Sequence, residues 1–146
     1  QPAFGHKAVY VHGRSRTYKP DNGAFEAWYR SGPVSGVYSR DRVVIGGVTL
    51  EDYTFAEVDN TFGMGESYWQ SPVDGVCGLA FDYLAGRTAP IHALVHSSGQ
   101  RVQAVSFFLG DHDGEDGELV IGGVNTRHYN GSIAFAPVNH KAYWSV

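Results

Sequence analysis

The dipeptide Gly46-Gly47, set between Val43-Val-Ile45 and Val48-Thr-Leu50, constrains this chain more than any other feature. Two runs of β-branched and apolar residues this close together are both satisfied only as neighbouring strands. The glycine pair supplies the positive φ that a tight hairpin turn demands. The first arm extends back through residues 36–45. The second, residues 48–58, alternates apolar and polar side chains, the period of a half-buried strand. The same arrangement recurs where 104–109 and 118–123 flank an acidic glycine loop at 110–117. Asn130-Gly131 marks another turn before a β-prone stretch at 132–138. Helix is expected in one or two short places. Pro90–Ser98 starts with a proline suited to a first helical position, carries Ile91, Leu94 and Val95 on one face, and is closed by Gly99. A shorter turn is expected around residues 81–85. The expected fold class is mostly β.

Composition is needed only to bound the class. With 42% hydrophobic and 18% charged residues, the 146-residue chain has an ordered composition, and it is read as one domain over 1–146. A formal net charge of −4 gives no electrostatic case for a nucleic-acid partner, and no apolar run is long enough to cross a membrane. The chain opens at Gln1 without a signal peptide, so a processed product is expected. Its single cysteine, Cys77, excludes an internal disulfide and is expected to be a small buried residue.

Four blocks, in order, carry a family resemblance over nearly the whole chain: Tyr29-Arg-Ser-Gly32 with Gly36; Val43-Val-Ile-Gly-Gly-Val48; Pro72-Val-Asp-Gly-Val-Cys-Gly-Leu-Ala80; and Gly117-Glu-Leu-Val-Ile-Gly-Gly-Val124, followed by His128-Tyr-Asn-Gly-Ser132, Pro137-Val138 and Ala142-Tyr-Trp144. At these spacings the chain resembles one lobe of a pepsin-type aspartic protease. The resemblance implies a pepsin-like half-domain and a secreted or lysosomal/vacuolar lumen. It also implies that Tyr29, Ser31 and Gly32 form the flap that reaches over a bound peptide. Ala3-Phe-Gly5 stands where the family has Asp-Thr-Gly, so Ala3 takes the place of the catalytic aspartate, and Tyr10 stands where the family has tryptophan. Because the stretch between Val11 and Tyr29 is shorter than in family members, the resemblance implies that a disulfide-bearing loop and most of the strand that enters the flap are missing.

The chemical consequence follows from the mechanism. Aspartic hydrolysis uses two carboxylates ~3 Å apart that share one proton. No Asp-Thr-Gly or Asp-Ser-Gly occurs in the 146 residues, and pairing two copies brings only a second Ala3. The leading expectation is therefore a catalytically inactive, secreted binding protein for a peptide or protein ligand. The alternative is a fragment of an active endopeptidase whose aspartates lie outside this chain. A homodimer or a second lobe is the expected partner, because the terminal stretches 8–11 and 142–146 are apolar and β-prone and would leave open strand edges.

Other chemistries fare worse. His92 and His96 are four apart on the expected helix, but Glu is not at 93, so the zinc-protease pattern fails and the pair is read as a solvated face. From Asp111, the sixth residue is Asp116 and the twelfth is Gly122, so the calcium-loop pattern fails as well. No metal and no cofactor is expected. Ser31 has no identifiable base and no Gly-x-Ser-x-Gly elbow is present. Asp74, in the Asp-Gly block, is read as structural. Asn130-Gly-Ser132 is an acceptor triplet for N-glycosylation on an expected surface turn.

Overall fold

A computed structural model describes residues 7–99, 102, 104–112, 114–140 and 142–146. The chain is mostly β, with few short helices, and has the fold class of a single pepsin-like lobe. It divides into two compact units, one of Gln1–Val44 with Leu50–Cys77 and one of Ile45–Thr49 with Gly78–Val146.

The first unit is built on the strands β1 (Lys19–Tyr29), β2 (Gly32–Ile45) and β3 (Val48–Asn60), which lie side by side in that order. Strands β2 and β3 meet at Gly46 and Gly47, whose φ values of 56° and 79° are both positive. That is the condition for a two-residue turn that matches the right-handed twist of its strands. Strands β1 and β2 pair antiparallel from Tyr29↔Gly32 to Ala24↔Val37, then shift register before Pro20↔Ser39. The shift absorbs residues 21–23, where Asn22 takes a φ of 60° and the Asp21 carboxylate accepts from the Gly23 N–H at 3.3 Å. Asparagine tolerates this left-handed geometry better than most residues. Strand β1, where the resemblance led to the expectation of a mostly missing strand, is thus eleven residues long. Pairing with β2 on both sides of the register shift orders a segment whose first half, residues 19–23, has little strand propensity of its own. A third short helix, α1 (Gly65–Gln70), follows a 3₁₀ turn at Phe62–Met64 and adds to the two expected from sequence.

The second unit holds α2 (Asp82–Ala85), α3 (Pro90–Ser98), β4 (Val105–Phe108) and β5 (Glu118–Ile121). Helix α3 begins at Pro90 and stops at Gly99, whose φ of 69° is the left-handed stop that glycine permits. It buries Ile91, Leu94 and Val95. Ala89, Ile91 and Val95 form a core against which Leu79, Val105 and Ile121 pack. Strands β4 and β5 pair antiparallel from Val105↔Ile121 to Phe108↔Glu118, as expected of two arms flanking the acidic glycine loop.

Three expectations need correction. Residues 132–138 form no strand, and Phe135 is 91% exposed. No described strand forms a ladder with them, and an extended segment without a ladder partner is not a sheet member. Residues 142–144 make a tight turn closed by the His140↔Ser145 bridge, with Ala142 buried, and residues 8–11 are exposed and irregular, so neither terminal stretch is a strand. Cys77 is exposed rather than buried, lying in the irregular stretch 73–79. Partial desolvation still pushes its thiol above the ordinary value, which is the opposite of activation.

Candidate functional site

The tip of the β1–β2 hairpin carries the residues singled out from sequence. Tyr29 and Gly32 are the last ladder pair, and Arg30 and Ser31 form the two-residue turn between them. Tyr29 is 42% exposed, so its ring is available at the tip. The Ser31 hydroxyl donates to the Met64 sulfur at 3.2 Å, an anchoring contact with no base in it. Gly32 has a φ of 137°, and a Cβ there would overlap the Gly63 carbonyl. A Cβ on Gly63 would in turn run into the Pro33 ring. The hairpin tip is therefore seated on the Phe62–Met64 turn by two glycines that allow backbone to touch backbone. Gly63 and Met64 went unrecognised in the sequence because a single glycine in an apolar stretch carries no periodic signal.

Behind the hairpin, β2 and β3 bury a polar network that alternation could not reveal. Ser39 and Asp41 are buried on one face of β2. The Asp41 carboxylate accepts from the Tyr10 hydroxyl at 2.5 Å, the Thr17 hydroxyl at 2.5 Å and the Arg42 N–H at 2.7 Å. Donation by Thr17, then Tyr10 and Ser15, holds its carboxyl well below the usual aspartate range. Burial, followed by the hydrogen bond to Asp41, pushes the Tyr10 phenol well above its ordinary value. Ser39 donates to Glu57, whose other oxygen lies 3.0 Å from His12 Nδ1, and His12 stacks on Tyr18. Tyr10 meets Phe55 edge-on at 5.0 Å. These contacts tie the irregular segment before β1 to the sheet. Lys7 extends the tie by donating to the carbonyls of Ser71 and Val73, and the Ala8 N–H donates to Asp74 Oδ1 at 3.0 Å. Asp74 is thus a structural carboxylate, as read from sequence.

In the second unit, a cleft of about 190 Å³ is walled by Phe108, Val120, Val124 and Ile133, with Glu118 and His128 at its side. His128 stacks on Phe108 at 3.9 Å, and its Nε2 lies 3.1 Å from the Glu118 carboxylate. The same carboxylate oxygen accepts from the Asn125 amide at 2.8 Å, and Ser106 donates to the Gly123 carbonyl at 3.0 Å. Ser106, Glu118, Asn125 and His128 are thus already engaged in holding the β4–β5 hairpin to the following turn.

His92 pairs with Asp82 at 2.8 Å, and Asp82 also accepts from the Ala89 N–H at 2.5 Å, which caps the approach to α3. The Ala89 N–H first and His92 second hold the Asp82 carboxyl below its usual value. His96 stands exposed on the same helix. Asp111, His112 and Glu115 bring one ligand atom each within 4.8 Å of one another, all exposed, in the solvated turn between β4 and β5. Ala3 lies outside the described residues. Asn130 is exposed on a turn whose Gly131 has a φ of 81°.

The sequence profile described as "Eukaryotic aspartyl protease" matches residues 1–146. Vacuolar protease A of Neurospora crassa is 38% identical over 97% of the chain and 37% of its own length. Plasmepsin I of Plasmodium falciparum is 35% identical over 96% of the chain and 31% of its own length. Phytepsin of Hordeum vulgare is 32% identical over 94% of the chain and 28% of its own length. The chain therefore spans about a third of the length of the curated relatives it matches. The seated flap-like tip, the Asp-Gly block and a profile match over all 146 residues agree: this chain belongs to the eukaryotic aspartyl protease family.

Proposed function

We propose that this chain is the flap-bearing, peptide-gripping lobe of a pepsin-type aspartic endopeptidase, and that the two carboxylates of hydrolysis are not both supplied by these 146 residues. The observation that carries this reading is the hairpin tip. Tyr29, Ser31 and Gly32 sit together on a turn, and Gly32 is pressed on Gly63 so closely that no side chain fits. A tip built only for solubility has no need of such seating. The ligand is an extended peptide, held by backbone contacts under the tip and by the Tyr29 ring. Relatives named as vacuolar and plant proteases support a vacuolar, lysosomal or secreted compartment.

A second reading, a binding protein without catalysis, is favoured by Ala3-Phe-Gly5 at the position of the family's triplet. Sequencing the full transcript separates the two. Two Asp-Thr/Ser-Gly triplets in it support the endopeptidase, and their absence leaves the binding protein. The isolated 146-residue chain is expected to leave haemoglobin intact at about pH 3–5, where a carboxylate dyad is half ionised. Digestion blocked by a peptidomimetic aspartic-protease inhibitor would overturn that expectation.

A further inference from the structure

We infer that Asn130 carries an N-linked oligosaccharide, attached beside the cleft of the second unit. Asn130-Gly-Ser132 is the one Asn-x-Ser/Thr triplet in the 146 residues. The structure adds three independent conditions. Asn130 and Ser132 are both exposed, and the Asn130 amide makes no hydrogen bond to another described residue. Gly131 bends the chain with a φ of 81°, so the triplet lies at a bend rather than along a regular element. Residues 130–138 belong to no helix or strand, so a transferase meets backbone that is free to fit its own groove. Asn22, Asn60, Asn125 and Asn139 lack the hydroxyl residue two positions on.

The co-substrate is a polyprenyl-pyrophosphate-linked oligosaccharide. The Asn130 amide nitrogen forms a bond to C1 of the first sugar as the bond from C1 to the pyrophosphate oxygen breaks. The amide gives up one proton, the polyprenyl pyrophosphate leaves, and nothing is oxidised or reduced. The placement has a consequence for the fold. Tyr129 and Ile133, on either side of the triplet, line the cleft, and Phe135 is 91% exposed just beyond it. A bulky, hydrated group on Asn130 shades this apolar surface and closes that cleft to a peptide, leaving the β1–β2 tip as the gripping site.

The inference rests on the luminal reading of the compartment, and two arms keep them apart. In the first, the full chain is translated behind an appended secretory leader with endoplasmic-reticulum microsomes, so its natural address is irrelevant. One endoglycosidase-sensitive mobility step is expected for the parent and for Ser132→Thr, and none for Asn130→Gln or Ser132→Ala. An unmodified parent, or a step that survives Asn130→Gln, overturns the site itself while the compartment reading stands. In the second arm, protein from its natural source is treated with peptide N-glycosidase. A loss of mass with conversion of Asn130 to Asp supports the inference. No change in the native protein after a positive first arm overturns it, and places the failure in the compartment reading.

Discussion

Asp41 is the residue whose environment makes the sharpest demand. Buried in β2, it is ionised and accepts from the side-chain hydroxyls of Tyr10, Thr17 and Ser15 and from one backbone N–H. Its folded carboxyl titrates below the ordinary aspartate value of about 3.9. The stability it contributes is therefore complete above that ordinary value and is lost as pH falls through the depressed folded one. Tyr10 works at the other end of the scale. Its phenol titrates above the ordinary value of about 10, so its contribution holds below that pH and is lost as pH rises past it. The thermal midpoint is expected to fall below about pH 4, and Asp41→Asn is expected to lower it at neutral pH while flattening that acid limb. A parent and an Asp41→Asn protein with parallel midpoint curves from pH 7 to pH 2 would show that Asp41 is not the responsible group. Nothing in the hydrophobic alternation of β2 marked this residue, because Ser39 and Asp41 occupy inward positions that a period-2 reading assigns to apolar side chains.

At the scale of the element, the β1–β2 tip and α3 are held by different physics. The tip depends on backbone proximity, so Gly32→Ala forces its Cβ into the Gly63 carbonyl. A loss of about 1–3 kcal/mol is expected from overpacking, read as a shift in denaturation midpoint. Weakened binding of a peptidomimetic inhibitor is expected with it, whereas Gly46→Asn at the opposite end of β2 should leave that binding unchanged. Helix α3 depends on apolar burial. Leu94 is only 1% exposed, and Leu94→Ala is expected to cost about 2–5 kcal/mol in urea unfolding, far more than His96→Ala on the solvated side. Equal effects of the two substitutions would mean that the helix is not anchored by its apolar face. Both elements were legible in the sequence. The block Tyr29-Arg-Ser-Gly32 marked the tip through the family resemblance, and Pro90 and Gly99 bracketed the helix. Helix α1 was not legible, since Gly65-Glu-Ser-Tyr-Trp-Gln70 is too short to develop an apolar face.

For the whole molecule, the exposed apolar surface is the governing fact. Phe62 is 96% exposed and Leu109 79%, and strands β4 and β5 pair only with each other among the described residues. Large apolar side chains in water and open sheet edges are both sites where a second polypeptide binds. The isolated chain is accordingly expected to associate, with a second copy or with a second lobe of the kind its longer relatives have room for. A specific contact of this sort buries about 800 Å² on each partner. Light scattering over a dilution series decides the point, and a monomer mass persisting at high micromolar concentration would contradict it.

The sequence by itself determined what depends on local chemistry. Strands expected at 48–58 and 118–123, the Gly-Gly turn, helix α3 and the family blocks are set by spacings within a few residues, and the elements form there with ends shifted by about two residues. Tertiary structure alone decided what depends on a distant neighbour. Strand β1 exists because β2 lies beside it, and residues 132–138 form no strand because no ladder partner does. Cys77 lies exposed although its residue type and its apolar neighbours at 75–79 led to the expectation of burial. Gly63 matters because it lies under a hairpin thirty residues earlier in the chain, and Asp41 because Tyr10 and Thr17 reach it from outside the sheet. A period of two or 3.6 reports which way a side chain points; it carries no information about what the side chain meets there.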